Sequence, residues 1–269
     1  MATRIVGVVN VTPDSFSDGG RFSSVQDAVA AGLAMVADGA DWIDVGGEST
    51  RPGSVPVSET EEIARVVPVI RDLSKHLTGT VRISVDTYKA ATARAALAEG
   101  ATAVNDVSSG LLDPEILGVT AASGAAIVLG HLRGQPADMQ ASVHFDNVVD
   151  EVADELGRRV AAARAAGCSE VWADPGIGFG KLLPHNLCLL SNLARLRTQL
   201  GVPLMVGVSR KRFIGDLTGK PAAERIFGTA AAVAAAIMNG ADAVRVHDVA
   251  AMRDVVRVAE AIACARELD

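Results

Sequence analysis

The sequence predicts an α/β protein in which eight β/α units close into a (β/α)8 TIM barrel. Three observations lead to this fold class. Short β-branched apolar runs alternate with longer segments rich in Ala, Glu and Arg. Glycine closely follows five of the predicted helices, and a glycine past a helix end stops the helix. The length of 269 residues is close to that of a typical eight-unit barrel.

The predicted strands and helices alternate along the whole chain. Several strands are continuously apolar, which is typical of parallel strands buried on both faces. The predicted strands cover residues 5–9, 42–45, 81–85, 103–105, 126–129, 171–173, 204–208 and 243–246. The predicted helices cover residues 25–38, 58–76, 90–99, 113–122, 146–166, 186–199, 222–238 and 249–267.

The domain organisation follows from the uninterrupted pattern. No linker rich in Pro or Ser divides the units, so residues 1–269 are predicted to form one domain. An open doubly wound sheet is the alternative architecture. Such sheets usually carry Gly-x-Gly-x-x-Gly after the first strand, and this sequence has no such motif there.

Composition and charge exclude several classes of function. The net charge is −7, which argues against a surface for nucleic acid or anionic membranes. No apolar stretch approaches the ~20 residues of a membrane span, and the N-terminus does not resemble a signal peptide. We therefore expect a cytoplasmic protein with no nucleic-acid or membrane partner. Cys168, Cys188 and Cys264 have no Cys-x-x-Cys spacing and are predicted to be buried, reduced thiols.

Polar or charged residues end every predicted strand or open the loop after it. In a barrel the carboxyl ends of all strands meet at one mouth, where this fold places active sites. One such residue is typical of a turn cap, but a residue at every strand end indicates a functional site. These residues are Asn10, Asp44, Asp86, Asn105, His131, Asp174, Ser209 with Lys211, and Arg245 with His247.

The first group of these residues suits a flat, polar heterocycle. Asp86, Asn105 and Asp174 can accept hydrogen bonds from ring N–H and amino groups, and Lys211 can donate to a ring carbonyl. The loop from Asn10 to Gly20 adds an aromatic ring that could lie against a flat ligand.

The second group suits a phosphorylated arm. Arg245, His247 and Arg51 offer cationic donors, and arginine can bind phosphate oxygens bidentately. Asn10 offers a neutral oxygen to a magnesium ion held mainly by diphosphate and water. The two groups together predict a planar heterocycle joined to a phosphorylated arm as the substrate.

The glycine-rich segment Asp174–Lys181 resembles a phosphate-binding P-loop. It does not match the P-loop motif, because Lys181 is followed by leucine rather than Ser or Thr. The glycines are better interpreted as allowing backbone to approach a ligand, with Phe179 as an apolar wall. His131 is expected to make local hydrogen bonds rather than bind a metal. His185 is expected to help cap a helix N-terminus, with a functional role as the alternative.

Seven segments resemble, in their order and spacing, the signature segments of one known family, the dihydropteroate synthases. The resemblance runs from Ile5 to about Ala259. The segments are Asn10–Gly20, Asp44–Gly53, Val85–Thr87, Asn105–Asp106, Asp174–Lys181, Ser209–Lys211 and Arg245–Asp248.

The resemblance implies a (β/α)8-barrel transferase of folate biosynthesis, usually a homodimer and a target of sulfonamides. Such an enzyme joins 4-aminobenzoate to 6-hydroxymethyl-7,8-dihydropterin diphosphate and releases pyrophosphate with Mg²⁺. By this resemblance, the pterin would be bound by Asp86, Asn105, Asp174 and Lys211, and the diphosphate by Asn10, Arg245 and His247, with Asn10 also binding Mg²⁺. The aminobenzoate would be surrounded by Phe16, Thr50, Arg51, Pro52 and Phe179. The resemblance implies that the catalytic residues are Asp86, Lys211, Arg245 and Asn10.

The mechanism expected from the residues is departure of the leaving group before attack by the amine. The amine is a weak base, and no residue among the candidates resembles a dedicated general base. Cationic donors and Mg²⁺ would stabilise the departing pyrophosphate, and carboxylates would stabilise the cation left on the pterin.

Two positions depart from the family pattern. Gly130 stands where the family often has Met, which could loosen the packing near the pterin. Arg212 follows Lys211 where many members have Ser, and its cation could bind the aminobenzoate carboxylate or point to solvent.

Two functional alternatives remain beside the synthase. One is a non-catalytic pterin-binding paralogue that partners another subunit. The other is a pterin-binding methyltransferase barrel, which would have no use for the diphosphate donors Arg245 and His247.

Overall fold

Eight parallel strands form one sheet at the centre of the molecule. The computed structural model describes residues 2–12, 24–49, 54–77, 79, 81–134, 139–140 and 143–265. The strands are β1 (Arg4–Asn10), β2 (Trp42–Gly46), β3 (Arg82–Asp86), β4 (Ala103–Asp106), β5 (Ala126–Gly130), β6 (Val171–Asp174), β7 (Met205–Gly207) and β8 (Ala243–Val246). All of the predicted strands are present, and every strand bound lies within one residue of its predicted position.

The strand order closes the sheet into a barrel. Neighbouring strands follow the order β6-β5-β4-β3-β2-β1-β8-β7. The remaining seam, between β6 and β7, is joined by an isolated parallel bridge between Ala173 and Leu204. The Ala173 N–H also donates to the Pro203 carbonyl at 3.0 Å. The predicted (β/α)8 barrel is therefore confirmed.

Helices cover the outside of the barrel. They are α1 (Val25–Ala37), α2 (Glu59–His76), α3 (Ala90–Ala98), α4 (Glu115–Ser123), α5 (Val148–Ala165), α6 (Leu183–Ser191), α7 (Leu193–Leu200), α8 (Arg212–Thr218), α9 (Ile226–Met238) and α10 (Val249–Ala265). Ser24, Ser58 and Asn147 cap α1, α2 and α5 by accepting a backbone N–H in the first turn.

The structure differs from the helix predictions in three places. The helix predicted to begin at residue 222 begins at Ile226, after a short 3-10 helix over residues 222–224. The single helix predicted over 186–199 is two helices, because Asn192 leaves the helical conformation and its side chain donates to the Cys188 carbonyl at 2.8 Å. The prediction also missed α8, a short helix that buries Phe213 and Ile214 and ends at Gly219 with φ of 70°. Its seven residues are too few for a clear helical period in the sequence.

The main hydrophobic core lies between the barrel and the helices. A second, smaller apolar cluster, which includes Trp42 and Met205, fills the barrel interior. Trp42 meets Trp172 edge to face with ring centroids 5.4 Å apart. Arg82 pairs with Glu170 just beyond these rings, where β3 and β6 begin. Side chains therefore plug the amino-terminal end, which leaves the carboxyl-terminal end for chemistry.

All three cysteines are free thiols, as predicted, but the predicted burial is correct for Cys168 only. Cys168 is buried, whereas Cys188 and Cys264 are exposed on α6 and α10. Among the described residues, no helix is both long enough and apolar enough to cross a membrane.

Candidate active site

The strand register brings three of the predicted residues, Asn10, Asp86 and Asn105, into one layer at the barrel mouth. Asn10 is in register with Gly46, Gly46 with Asp86, and Asp86 with Asn105. Registered residues on parallel strands point to the same face of the sheet. Asp44 and Ser84 form the next layer below, also in register with each other.

Asp44 is the centre of a buried hydrogen-bond network. Its Oδ1 accepts from Ser84 Oγ at 2.6 Å, and its Oδ2 accepts from Asn105 Nδ2 at 3.0 Å and Arg245 Nε at 2.6 Å. The side chain is fully buried. Each carboxylate oxygen therefore orients a neighbour, and Asp44 fixes the positions of Asn105 and Arg245.

The sequence placed Asp44 at a strand end without a role, and it missed Ser84. Ser84 is two residues before Asp86 on β3, so both side chains face the barrel interior. The period of two along a strand was the signal that could have found Ser84.

Arg245 lies between the two carboxylates. Its Nη2 donates to Asp86 Oδ2 at 2.6 Å, while its Nε binds Asp44. Burial raises the pKa of Asp86 to about 7, although Arg245 opposes the shift. Burial alone would lower the pKa of Arg245, but Asp44 and Asp86 outweigh it and raise this pKa. The guanidinium is therefore charged, and it binds the predicted pterin ligand Asp86.

Lys211 and Asp174 face each other on the other side of the mouth. A methyl group placed on Gly207 would lie 3.6 Å from Lys211 Nζ and 3.9 Å from Asp174 Oδ2, so both reach the same space. Lys211 Nζ donates to the Ile177 carbonyl and lies 4.7 Å from the centre of the Phe179 ring. The structure thus brings together a charged donor, an acceptor and an aromatic wall.

Burial disfavours both charges of this pair. Burial lowers the pKa of Lys211 to about 8, with Asp174 opposing the shift. Burial raises the pKa of Asp174, with Lys211 opposing. Such perturbed groups in a concave site are typical of a binding or catalytic centre.

His247 and Ser209 meet where β7 and β8 end. His247 Nδ1 lies 3.0 Å from Ser209 Oγ, which also accepts the His247 N–H at 3.3 Å. The guanidinium of Arg210 binds both carboxylate oxygens of Asp248. These contacts tie together the turns that carry Lys211 and His247.

Asn10 ends β1 beside Asp86, which is predicted to bind the pterin. A methyl group on Gly46 would lie 3.6 Å from Asn10 Oδ1 and 3.5 Å from Asp86 Oδ2. Within the described residues, no group of three or more His, Cys, Asp or Glu side chains could hold a metal ion. The donors present fit a cation held mostly by substrate oxygens and water, with Asn10 as a neutral ligand.

The glycine-rich segment 174–181 packs against the end of β5. Gly176 has φ of 68°, and a methyl group there would lie 1.9 Å from the His131 carbonyl. Only glycine fits such an approach. Lys181 is buried beneath the segment and donates to His131, so it does not serve a phosphate-binding loop.

The structure gives both of these histidines hydrogen-bonding partners, as expected, whereas the expectation that His131 does not bind a metal stays a prediction. His131 contacts two side chains, with Nδ1 2.8 Å from Lys181 Nζ and Nε2 3.0 Å from Glu155. His185 Nδ1 accepts the Leu182 N–H at 3.3 Å at the start of α6.

Four residues predicted to surround the aminobenzoate lie outside the described residues. They are Phe16, Thr50, Arg51 and Pro52. Phe179 is the remaining member of that group, and it lies beside Lys211 as stated above.

The two departures from the family pattern have structural explanations. At Gly130 a methyl group would lie 2.8 Å from Val107 Cα and 2.9 Å from the Val107 carbonyl. Backbone therefore fills this space, and the expected loosening of the packing was wrong. Arg212 has an 84 % exposed side chain, 3.6 Å from Asp216, so it points to solvent.

Comparison with known proteins places this site in a family. The sequence model of the pterin binding enzymes matches residues 6–247. The dihydropteroate synthase of Synechocystis sp. is 45% identical over 97% of this chain and 90% of the relative. That of Streptococcus pyogenes serotype M1 is 46% identical over 94% of this chain and 93% of the relative.

This chain belongs to the dihydropteroate synthase family. Solved structures of the family agree in fold. The Yersinia pestis dihydropteroate synthase, in a sulfonamide drug complex, gives a TM-score of 0.91 at 40% identity, over 97% of this chain and 94% of that chain. The Xanthomonas albilineans dihydropteroate synthase with 4-aminobenzoic acid gives a TM-score of 0.88 at 45% identity, over 97% of this chain and 93% of that chain. The family predicted from the signature segments is confirmed, and with it the prediction of a transferase enzyme.

Proposed function

We propose that this member of the dihydropteroate synthase family joins 4-aminobenzoate to 6-hydroxymethyl-7,8-dihydropterin diphosphate and releases pyrophosphate. The observation that carries the proposal is the barrel mouth, where the acceptors Asp86, Asn105 and Asp174 lie with the half-buried Lys211. Relatives support the same substrates, since the Xanthomonas albilineans enzyme has been solved with 4-aminobenzoic acid and with 7,8-dihydropteroate.

The pterin end of the substrate would lie between Asp86, Asn105, Asp174 and Lys211. The carboxylates would accept from ring N–H and amino groups, and Lys211 would donate to the ring carbonyl. Asp44 holds Asn105 through a 3.0 Å hydrogen bond, so the amide is oriented before the ligand arrives.

The diphosphate end would lie near Arg245 and His247. Arg245 is held by Asp44 and Asp86 in the free protein, so it is charged and pre-oriented. Mg²⁺ would neutralise charge on the leaving group and so ease its departure. Asn10 would hold that ion together with diphosphate oxygens and water, in keeping with the donors present at the mouth.

The chemistry would begin at the bond between the exocyclic methylene carbon of the pterin and the diphosphate oxygen. That bond breaks with its electron pair going to pyrophosphate, and Arg245 stabilises the developing charge. Asp86 and Asp174 stabilise the cation left on the pterin. The aminobenzoate nitrogen then forms the new bond to carbon and loses a proton to water.

A pyrophosphate-release assay with both substrates and Mg²⁺ tests the reaction. We expect release that depends on 4-aminobenzoate and on the metal. Folded protein that binds the pterin without release would favour the non-catalytic paralogue instead.

The order of bond breaking has its own test. A pterin diphosphate labelled with oxygen-18 in the position bridging carbon and phosphorus is incubated without amine. Departure before attack lets the label scramble into non-bridging positions of recovered substrate. The same enzyme and Mg²⁺ concentrations should support turnover once the amine is added. If no label scrambles before that addition, the stepwise order is contradicted.

Sulfonamides are the expected inhibitors, by analogy with the sulfonamide complex of the Yersinia pestis enzyme. These drugs mimic 4-aminobenzoate, and the sequence has no insertion beside Phe16, which predicts ordinary sensitivity. Sulfamethoxazole should compete with 4-aminobenzoate and not with the pterin diphosphate. Activity that is unchanged at high drug concentration would contradict this expectation.

A homodimer is also part of the proposal. Several large apolar side chains are exposed on α8, α9 and α10, among them Leu217, Phe227, Val258 and Ile262. Phe227 is 82% exposed, and exposed apolar patches are typical of protein–protein interfaces. Light scattering should give the mass of a dimer, and F227E should shift it toward the monomer. The cytoplasmic location stays a prediction, which cell fractionation can check.

A further inference from the structure

Lys181 is a buried cation that has no place in the proposed chemistry. It is 3% exposed. Nζ lies 2.8 Å from His131 Nδ1, 3.0 Å from the Phe179 carbonyl and 3.4 Å from the His131 carbonyl. An ammonium group has three N–H donors, and here three acceptors surround it. The contacts therefore suit its charged form, although burial lowers the pKa of Lys181 to about 7, with the charge of Asp174 opposing the shift. Below that pH the ammonium group is charged.

The other side of His131 fixes which ring nitrogen carries the proton. His131 Nε2 lies 3.0 Å from Glu155 Oε2. The hydrogen bond with His131 lowers the pKa of Glu155 to about 2, so this carboxylate can only accept. Nε2 must then carry the hydrogen, which leaves Nδ1 as the acceptor for Lys181. Burial, and then the Lys181 charge, lower the pKa of His131 to about 4, so the ring is neutral.

This chain of contacts ends on helix α5 and the loop after β5. Arg133 Nε donates to Glu155 at 3.0 Å, and Arg133 Nη2 donates to Glu151 at 2.7 Å. Lys181 is thus connected through a neutral imidazole to a cluster of charges anchored on a long helix. The connection is rigid, because every member has a partner on both sides.

The segment that Lys181 holds carries several contacts of the proposed site. Asp174 Oδ1 accepts the Gly176 N–H at 2.7 Å, the Ile177 carbonyl accepts from Lys211, and Phe179 lies beside Lys211. Lys181 ties down this segment through the Phe179 carbonyl. If that tie were lost, the aromatic wall and the acceptor for Lys211 would lose their fixed position.

We propose that Lys181 is a positioning residue for the pterin end of the site, and that it holds the segment 175–180 against the end of β5 through His131. Lys181 touches no substrate atom in this scheme. The test by ligand binding rests on the proposed function, because it needs a protein that binds pteroic acid. The contact between Lys181 and His131 can be tested without that function.

The first experiment measures binding of pteroic acid by calorimetry. K181M keeps an unbranched side chain of similar length but removes the donors, and we expect about tenfold weaker binding, since small misplacements in a site are costly. K181Q keeps one donor group and should fall between K181M and the wild type. K75M is the matched control, because Lys75 is an exposed lysine paired with Asp72 on α2.

The second experiment follows the ring of His131 by nitrogen NMR. In the wild type the ring should be the neutral Nε2–H tautomer and should stay neutral to about pH 5, because its pKa is about 4. Lys181 and Arg133 both lower this pKa and Glu155 raises it. K181M removes one of the two cations, so His131 should take up its proton at a higher pH.

Each outcome decides a different point. Folded K181M that binds pteroic acid as the wild type does would overturn the positioning role. If K181M does not fold, H131L decides, since it removes the Nδ1 acceptor, and unchanged binding there would equally overturn it. If the wild type does not bind pteroic acid, the proposed function fails. If the pH at which His131 takes up its proton is the same in K181M and the wild type, the proposed contact between Lys181 and His131 is refuted.

Discussion

Arg245 Nη2 lies 2.6 Å from Asp86 Oδ2, so a side chain expected to bind diphosphate is paired with one expected to bind the pterin. The same guanidinium binds Asp44 through Nε. Two carboxylates therefore share one cation at the floor of the mouth. This arrangement makes stability and ligand binding depend on the same three charges.

Replacing Arg245 by Met should destabilise the protein. The change leaves Asp44, which is fully buried, and Asp86 without a counter-ion. Breaking a buried ion pair costs on the order of 3 kcal/mol. Urea unfolding at pH 8 should show this loss. R82M is the control, since Arg82 and Glu170 are partly exposed at the other end of the barrel and should contribute at most about 1 kcal/mol. Equal losses in both variants would contradict the prediction.

Stability should also depend on pH through Asp86. Its pKa rises from 3.8 to about 7 on folding, so the folded protein binds this proton more tightly than the unfolded chain does. The resulting stabilisation is complete below pH 3.8 and is lost as the pH rises through about 7. The difference in stability between wild type and D86N should therefore change across this range. A constant difference would rule out a raised pKa.

Pteroic acid should bind best between the pKa values of two groups. Asp86 must be ionised to accept ring hydrogens, so affinity should fall below about pH 7. Lys211 must be charged to be a strong donor, so affinity should fall again above about pH 8. Calorimetry across this range should give a bell-shaped curve. D86N should bind pteroic acid more weakly, and its affinity should no longer fall as the pH drops below about 7.

Lys211 and Arg212 are neighbours with opposite expectations. Lys211 faces the mouth, and K211A should reduce kcat/KM by at least about a hundredfold, as loss of an oriented charged donor does. Arg212 points to solvent with an 84 % exposed side chain, so R212A should change kcat/KM less than threefold. H76A, at an exposed residue of α2, is a second control. A large effect of R212A on the KM for 4-aminobenzoate would instead support binding of its carboxylate.

Gly130→Met restores the residue that is frequent in the family, and it should not be tolerated here. The first side-chain carbon would lie 2.8 Å from Val107 Cα, and backbone cannot yield as a flexible side chain does. We expect a loss of about 2 kcal/mol or more, as in other overpacked cores. Thermal melts would check this. An unchanged melting temperature would mean that the Asp106–Val107 backbone can shift.

The sequence predicted the barrel because the signals for it are local. Apolar runs, helix-stopping glycines and the polar residue after each strand can be found without knowing which strands are neighbours. The positions of Asp86, Asn105, Asp174 and Lys211 at one mouth follow directly from that pattern. The helix break at Asn192 and helix α8 were missed because each depends on a few residues only.

The pairing of side chains across the mouth could not be predicted in the same way. Nothing local indicates that Arg245 meets Asp86, since 159 residues separate them in sequence. Asp44 shows the same limit. Its three partners come from β3, β4 and β8, and only closure of the sheet brings them together.

The seam between β6 and β7 has a consequence for how the barrel fluctuates. Other neighbouring strands share several registered pairs, whereas this seam has the single bridge between Ala173 and Leu204. Transient opening should therefore begin there, and amides beside the seam should exchange with deuterium sooner than those of β1 and β2. Asp174 directly follows the bridge, so a pterin bound to Asp174 and Lys211 would join the two sides of the seam and slow that exchange.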